Sequence, residues 1–390
     1  MNKNEFLFTL KISSILATRM FGLFMIFPVF SVYAVQYDNS TPYLIGLAIG
    51  IYGLTQALLQ IPFGYLSDQF GRKPIIIIGL ILFFIGSVIA ANANDIIGII
   101  IGRAIQGSGA ISAVLMAFLA DFIPYDKRIK ANAFIGIQIG MAFILSILIA
   151  PLITVNLGID GLFWVIAILS VFALIIVTTM PYVKPSSQYN LSLNNIKQIL
   201  TIKLFKLNLS VLFLHLIITC IFIVIPLLLV ENKIVAANLA GNWKVYLPVM
   251  ITSFLIMMPI IIFAEKYQKT KIILLILIAV IAIVQLLFYF LQIQNKLIYE
   301  TFFILLTAFF VGFNIIEAML PSLVAKAVAI NKKGLAMGLF STSQFLGTFI
   351  GGSLGGLIYN IFNLNSVLLF TVLVAIIWFV VMLVLNKLDY

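Results

Sequence analysis

The chain has 390 residues, 63% of them hydrophobic and only 9% charged, with a mean hydropathy of +1.22 and a formal net charge of +11. Soluble domains carry roughly 25% charged residues, so this composition excludes a soluble enzyme or binding module and reads as an integral membrane protein. The N-terminus does not read as a cleaved signal peptide, and the single cysteine, Cys220, excludes an intramolecular disulfide and a thiolate metal cluster.

Runs of about 20 apolar residues can cross the hydrocarbon as helices. Twelve are predicted, at 8–35, 43–65, 74–92, 96–120, 131–155, 160–180, 206–230, 243–264, 272–293, 298–325, 334–359 and 364–386. They are continuously apolar rather than alternating, so helices are expected and barrel strands are not. The fold class is therefore an all-α integral membrane protein with twelve transmembrane helices. An even number of spans puts both termini on one side. The termini and the loops after even-numbered spans hold 18 Lys and Arg residues, against 3 in the opposite loops. Basic loops stay cytoplasmic, so both termini are expected there. The same asymmetry explains most of the positive charge without a nucleic-acid partner.

Span 2 carries Gly46 and Gly50, span 5 carries Gly136 and Gly140, and span 11 carries Gly347, Gly351 and Gly355 beside Gly352 and Gly356. Spacing of four sets small residues on one helix face, where backbones approach closely. Such faces are read either as tight structural packing or as surfaces that slide. Spans 2 and 3 are joined by Gly64-Tyr65-Leu66-Ser67-Asp68-Gln69-Phe70-Gly71-Arg72-Lys73, read as a tight connection. Asp68 and Arg72 are four apart and would share a face on continuous helix. Gly64 and Gly71 permit close backbone approach, and Pro74 suits a first helical turn. An ordinary basic loop uses the same turn chemistry.

The longest polar connection, 181–205, divides the spans six and six. This gives an N-terminal bundle of residues 1–180, a cytoplasmic linker of 181–205 and a C-terminal bundle of 206–390. Leu193, Ile196, Ile199 and Leu200, with Lys197 and Lys203, suit a short amphipathic helix on the membrane surface. The halves echo each other weakly. A basic loop at Lys127–Lys130 precedes a span ending Ala150-Pro151-Leu152-Ile153, and one at Lys332–Lys333 precedes a span ending Gly355-Gly356-Leu357-Ile358.

Four ionisable residues fall inside spans: Arg19 in span 1, Arg103 in span 4, His215 in span 7 and Glu317 in span 10. A charge near the middle of a span costs roughly 3 kcal/mol or more, so such groups face a cavity or a partner. They occupy every third helix. That points to one polar space lined by the first helix of each three-helix unit, as in transporters built from repeats. His215 lies nine residues from Lys206, and Glu317 nine from Lys326. Both are thus placed about 13 Å from the cytoplasmic boundary. They are expected to meet across that space, or else to be structural side chains satisfied by carbonyls or by Asn314, one turn from Glu317. Glu317 is the one carboxylate well inside a span. Asp121 ends span 4 at the cytoplasmic face, and Asp38, Asp95, Asp160, Glu231 and Glu300 sit in or beside outer loops.

The order Gly-x-Leu-x-Asp-x-x-Gly-Arg-Lys at 64–73 resembles the signature loop of the major facilitator superfamily of secondary transporters. Gly102-Arg103-Ala104-Ile105-Gln106-Gly107-Ser108-Gly109-Ala110 resembles the family's second motif. The stretches 19–29, 313–323 and 341–347 carry the similarity through essentially all twelve spans, which look most like the drug/proton antiporter branch. The resemblance implies two pseudo-symmetric six-helix bundles around a central cavity lined by helices 1, 4, 7 and 10. It also implies that Asp68 and Arg72 belong to a cytoplasmic latch, with Arg72 pairing to Asp121. Asp68 would face the N-terminal end of helix 11, where the helix dipole is positive. Two departures stand against the pattern. Span 5 carries Ala150-Pro151 where the antiporter motif has Gly-Pro, which weakens the inference of export. The subgroup most like this chain carries a soluble C-terminal domain, whereas the chain stops at Tyr390; regulation through that domain is expected to be absent, or the chain cut short.

The expected function is proton-coupled secondary active transport in the cytoplasmic (inner) membrane, exporting small organic or drug-like compounds by alternating access. Glu317 is the expected titrating group and His215 its modulator. Arg103 and Arg19 hold cavity charge, with Asn314 beside Glu317. Gly64, Asp68, Gly71, Arg72 and Asp121 form the cytoplasmic gate motif. No G-x-x-x-x-G-K-[ST] phosphate loop occurs, so an ATP-driven pump would need another subunit. No cofactor and no metal are expected. The expected partners are a small-molecule substrate, protons and the lipid bilayer, with the protein acting as a monomer. The alternative is a facilitator or proton symporter importing a nutrient on the same fold. An intramembrane enzyme or a sensor is more distant, since His215 and Cys220 are five apart, about 140° around a helix, and do not share a face.

Overall fold

The computed structural model describes residues 1–182, 201–236, 241–328 and 333–387. Most of the predicted linker, with the amphipathic segment up to Leu200, lies outside the described residues. With no water in a bilayer core, an apolar run satisfies its own N–H and C=O groups only as a helix. In chain order the helices are α1 (Lys3–Phe24), α2 (Phe30–Tyr33), α3 (Pro42–Phe70), α4 (Arg72–Ala91), α5 (Ile96–Ser108), α6 (Ser112–Phe122) and α7 (Arg128–Thr178). After the linker come α8 (Ile202–Glu231), α9 (Trp243–Lys266), α10 (Thr270–Ile293), α11 (Tyr299–Ala327), α12 (Lys333–Ile361) and α13 (Leu364–Lys387).

Ten helical stretches are long and apolar enough to cross a membrane. One of them, in α7, holds both the fifth and the sixth predicted spans. Gly158, at φ 70° and ψ 179°, breaks its helical path between the two. A side chain is disfavoured in that left-handed region, and glycine is not. The eleventh predicted span is α12, helical throughout but diluted below the apolar threshold by its glycines, serines and threonines. The twelve predicted spans therefore all have helices.

Two spans differ from expectation in shape. The first was expected to run to residue 35, but α1 ends at Phe24. Pro28 has no N–H to give the Phe24 carbonyl and its ring crowds it, which favours a break there; the chain turns and resumes as α2. The fourth span is interrupted at Gly109–Ile111, between α5 and α6. Tyr37, just after α2, donates its hydroxyl to Asp160 at 2.7 Å, tying the connection between α2 and α3 to the chain beyond Gly158. Burial, reinforced by that carboxylate, holds the Tyr37 phenol above its ordinary titration range.

The described residues form two compact units. One holds residues 1–40 and those from 51 to 182; the other holds residues 41–50 and those from 201 onward. The first eight residues of the expected second span thus group with the C-terminal half. In the first unit, Phe8, Ile12 and Leu16 of α1 pack with Ile76 and Leu80 of α4 and with Val114, Leu115, Phe118 and Leu119 of α6. The outward faces are apolar too. Trp164, Ile168, Val171, Phe172 and Ile175 are exposed along α7, a patch suited to hydrocarbon and ill suited to water.

In the second unit the glycines of α12 do two jobs. A Cβ on Gly347 or Gly351 would collide with the carbonyl oxygens of Leu212 or Leu216 on α8, and one on Gly355 would meet Cys220 Sγ. Gly352 and Gly356 lie instead against Gly46 and Gly50, which open α3. Small residues here let backbones touch, which is how helices associate where apolar burial gives no drive. The expectation fails for Gly136 and Gly140, whose Cβ positions meet no atom of another helix within 4 Å among the described residues. Gly351→Ala is expected to destabilise by roughly 1–3 kcal/mol, the usual cost of overpacking, and to lower the melting temperature of the purified protein. Gly136→Ala should leave it unchanged or slightly raised. An unchanged melting temperature in Gly351→Ala would contradict the close approach of α8 and α12.

Candidate functional site

Arg19 of α1 and Arg103 of α5 are both 1% exposed, deep in the first unit. Arg19 Nη2 donates to Tyr52 Oη at 3.1 Å and to Gln56 Oε1 at 2.9 Å, both on α3. Gln56 passes the chain on to Gln60 Oε1 at 3.1 Å. Arg103 stacks over the Tyr52 ring at 4.8 Å and donates to Gln106 Oε1 at 2.9 Å; Gln106 in turn donates to Ser87 Oγ at 2.8 Å. Tyr52 therefore serves both guanidiniums, one through its oxygen and one through its ring. The glycines of the 102–110 stretch make this possible. A Cβ on Gly107 would strike the Tyr52 carbonyl and one on Gly109 the Gly79 carbonyl, so α5 reaches α3 and α4 only without side chains there.

At the end of α3 the expected loop shrinks to one residue. Helix continues through Phe70, and Gly71 makes the whole turn at φ 92° before α4 begins. Gly64 is therefore helical and, contrary to expectation, has no atom of another helix within 4 Å of its Cβ position among the described residues. The turn folds Arg72 back onto Asp68 in an ion pair. Arg72 also donates to Ser67 Oγ at 2.6 Å and pairs through Nε with Asp121 Oδ2 of α6 at 2.8 Å. All three charged side chains are buried, with exposures of 1% for Arg72, 6% for Asp68 and 2% for Asp121. Nearby, Lys73 Nζ reaches the carbonyls of Thr178 and Met180 at 2.8 and 3.0 Å. Lys127 Nζ meets Glu5 Oε1 at 2.8 Å. Glu5 also accepts from the Asn2 backbone N–H in a capping box, so α1 starts earlier than the expected residue 8.

The second unit carries the other pair. His215 of α8 and Glu317 of α11 approach to 3.9 Å, Nε2 to Oε2. The imidazole Nδ1 lies 3.1 Å from the carbonyl oxygen of Val211, one turn earlier. A carbonyl only accepts, so Nδ1 carries a hydrogen and the neutral ring keeps its lone pair on Nε2. That lone pair faces the side-chain amide of Gln344 on α12 at 2.8 Å, and the same nitrogen donates to Glu317 Oε1 at 3.2 Å. Among the described residues Glu317 Oε2 has no hydrogen-bond partner, and the side chain is 33% exposed. Asn314 does not serve Glu317: its amide donates to Ser253 Oγ of α9 at 3.2 Å. The marker used for depth also moves, because α8 begins at Ile202 and Lys206 is 3% exposed inside it. Cys220 is turned to the Gly351 carbonyl at 3.2 Å, away from any nucleophilic constellation. Among the described residues no three His, Cys, Asp or Glu side chains are grouped to hold a metal.

Reading the sequence for charged groups alone missed Tyr52, Gln56, Gln60, Gln106 and Gln344. Uncharged amides inside spans are the signal that would have found the four glutamines. Gln56 and Gln60 are one turn apart, and Gln106 follows Arg103 by three residues.

Comparison with known proteins places these clusters in context. The family model for the Major Facilitator Superfamily matches residues 12–328 and again residues 207–389. Inner membrane transport protein YajR of Escherichia coli (strain K12) is 40% identical over 386 residues, covering 97% of this chain and 83% of that protein. An uncharacterized transporter of Buchnera aphidicola subsp. Schizaphis graminum is 41% identical over 389 residues, 97% of each chain. Among solved structures, the D-xylose-proton symporter superimposes with a TM-score of 0.73 at 16% identity, covering 95% of this chain and 97% of that one, a likeness of fold alone.

Proposed function

The chain belongs to the major facilitator superfamily, a family of transporters rather than enzymes, and we propose that it couples proton movement to the export of small organic compounds across the inner membrane. The observation that carries this reading is the Glu317–Gln344–His215 cluster. An acid with one oxygen unbonded, a third exposed, faces a neutral imidazole inside apolar helices. Intramembrane ionisable groups mark ion and proton pathways. Arg19 and Arg103 supply fixed positive charge in the N-terminal half, and Gly64, Asp68, Gly71, Arg72 and Asp121 act as the cytoplasmic gate. The bundles of residues 1–180 and 206–390, joined by 181–205, alternate access, with both termini in the cytoplasm. The monomer suffices for this scheme.

Purified protein in proteoliposomes with an imposed pH gradient tests the proposal. Substrate is expected to move against the proton flow, and to reverse when the gradient is reversed. Movement in the same direction as protons would favour the importing symporter, a reading that Ala150-Pro151 also supports. Flux indifferent to the gradient would end proton coupling altogether.

A further inference from the structure

We propose that Gln344 is the positioning residue of the proton site: its amide holds His215 neutral and releases Glu317 when the imidazole gains a proton. The inference rests on the proton-coupling reading for its role in transport, but its chemistry stands on geometry alone. His215 Nδ1–H is committed to the Val211 carbonyl, which leaves Nε2 as an acceptor. The Gln344 nitrogen supplies both of its hydrogens, one to Nε2 at 2.8 Å and one to Glu317 Oε1 at 3.2 Å. One amide thus reads both partners at once.

A proton arriving on His215 Nε2 removes the lone pair that this amide donates to. The Gln344 N–H and the new Nε2–H would then point at each other. The amide must turn away from the ring. In turning, it withdraws the donor from Glu317 and leaves the carboxylate facing an imidazolium 3.9 Å away. Protonation of one group therefore changes the hydrogen bonding of the other through a single side-chain rotation.

The surroundings contain little else that competes. Three helices pack on α8, namely α11, α12 and α13. From α11 the group facing the ring is Glu317, with the Phe313 ring 6.0 Å off. From α12 it is Gln344, and α13 presents Trp378 and Met382 to Ser210, lower on α8. The other charges on these helices, Glu300, Lys326, Lys333 and Lys387, lie in first or last turns. On α8 itself, Lys203 and Lys206 are near the start and Glu231 ends the helix. Among the described residues, Glu317 is the one charged group within ion-pair distance of His215.

His215 is the single histidine of the chain, so nitrogen-15 labelling of histidine gives one imidazole signal in the full-length purified protein. Above the titration the wild type is expected to show only the Nδ1–H tautomer, with Nε2 shifted as a hydrogen-bond acceptor. A Nε2–H tautomer would overturn the proposal without any variant. Gln344→Met keeps the length of the side chain and removes the donor. Loss of one hydrogen bond to the neutral ring should raise the proton affinity of the imidazole roughly fivefold, moving its titration midpoint to higher pH. A packing role would leave that midpoint where it is, and an unchanged midpoint in folded Gln344→Met refutes the proposal. The spectrum does not depend on transport. If flux proves independent of pH while the tautomer and the shift are seen, proton coupling falls and the Gln344 bridge survives.

Discussion

Replacing Glu317 by glutamine is expected to abolish flux driven by a pH gradient, down to the level of protein-free liposomes, while substrate binding and substrate exchange persist. Glutamine mimics the protonated acid in shape and charge but releases no proton. Its amide oxygen can still accept from Gln344, as Glu317 Oε1 does at 3.2 Å, so the local fold is preserved. A secondary transporter stripped of its proton-releasing group should still shuttle its substrate between equal concentrations, because that cycle moves no net proton. Removing the partner is expected to act differently. His215→Ala deletes the imidazole opposite the carboxylate and should move the pH optimum of transport without removing activity. Flux and exchange are measured in the same vesicles, with binding followed separately on purified protein. Wild-type pH-driven flux in Glu317→Gln would sink the coupling assignment, since His215 and Gln344 offer no second acid in that cluster.

How much of this was legible beforehand depends on which physics each feature obeys. Span number follows from hydrophobic length, and Arg19, Arg103, His215 and Glu317 stand out because charge in hydrocarbon is costly. Helix ends are another matter. Pro28 ended α1 at Phe24, and the Gly109–Ile111 break split the fourth span, although both signals were present in the sequence. Averaging hydropathy over a window hides such local breaks. Glycine spacing identified α12 correctly but not α7, because Gly136 and Gly140 share a face whether or not a neighbour lies against it. Asn314 was the natural partner for Glu317 on its own helix, yet the contact came from Gln344 on another. Sequence distance measures neighbours along one helix; partners across helices are set by packing, which one chain read linearly does not contain.

The Arg72 cluster offers the largest effect on stability. Arg72→Ala removes a guanidinium that is 1% exposed and serves Asp68, Asp121 and Ser67 at once. Breaking a buried ion pair from one side costs about 3–5 kcal/mol, because the partner's charge stays in the low-dielectric site. Here two carboxylates lose their shared cation, at 6% and 2% exposure. Arg72→Lys should rescue poorly. An ammonium is a point charge, whereas the fork of arginine reaches acceptors in several directions at fixed angles. Asp68→Asn is milder, keeping an oxygen for Arg72 while losing charge, and should reduce transport with membrane insertion intact. The decisive variant restores charge balance. Arg72→Ala combined with Asp68→Asn and Asp121→Asn leaves no unpaired ion, so its melting temperature should recover most of the loss while transport stays low. If Arg72→Ala melts with the wild type, the triad contributes nothing to stability. If the triple variant instead transports normally, the motif holds the fold together and does not gate.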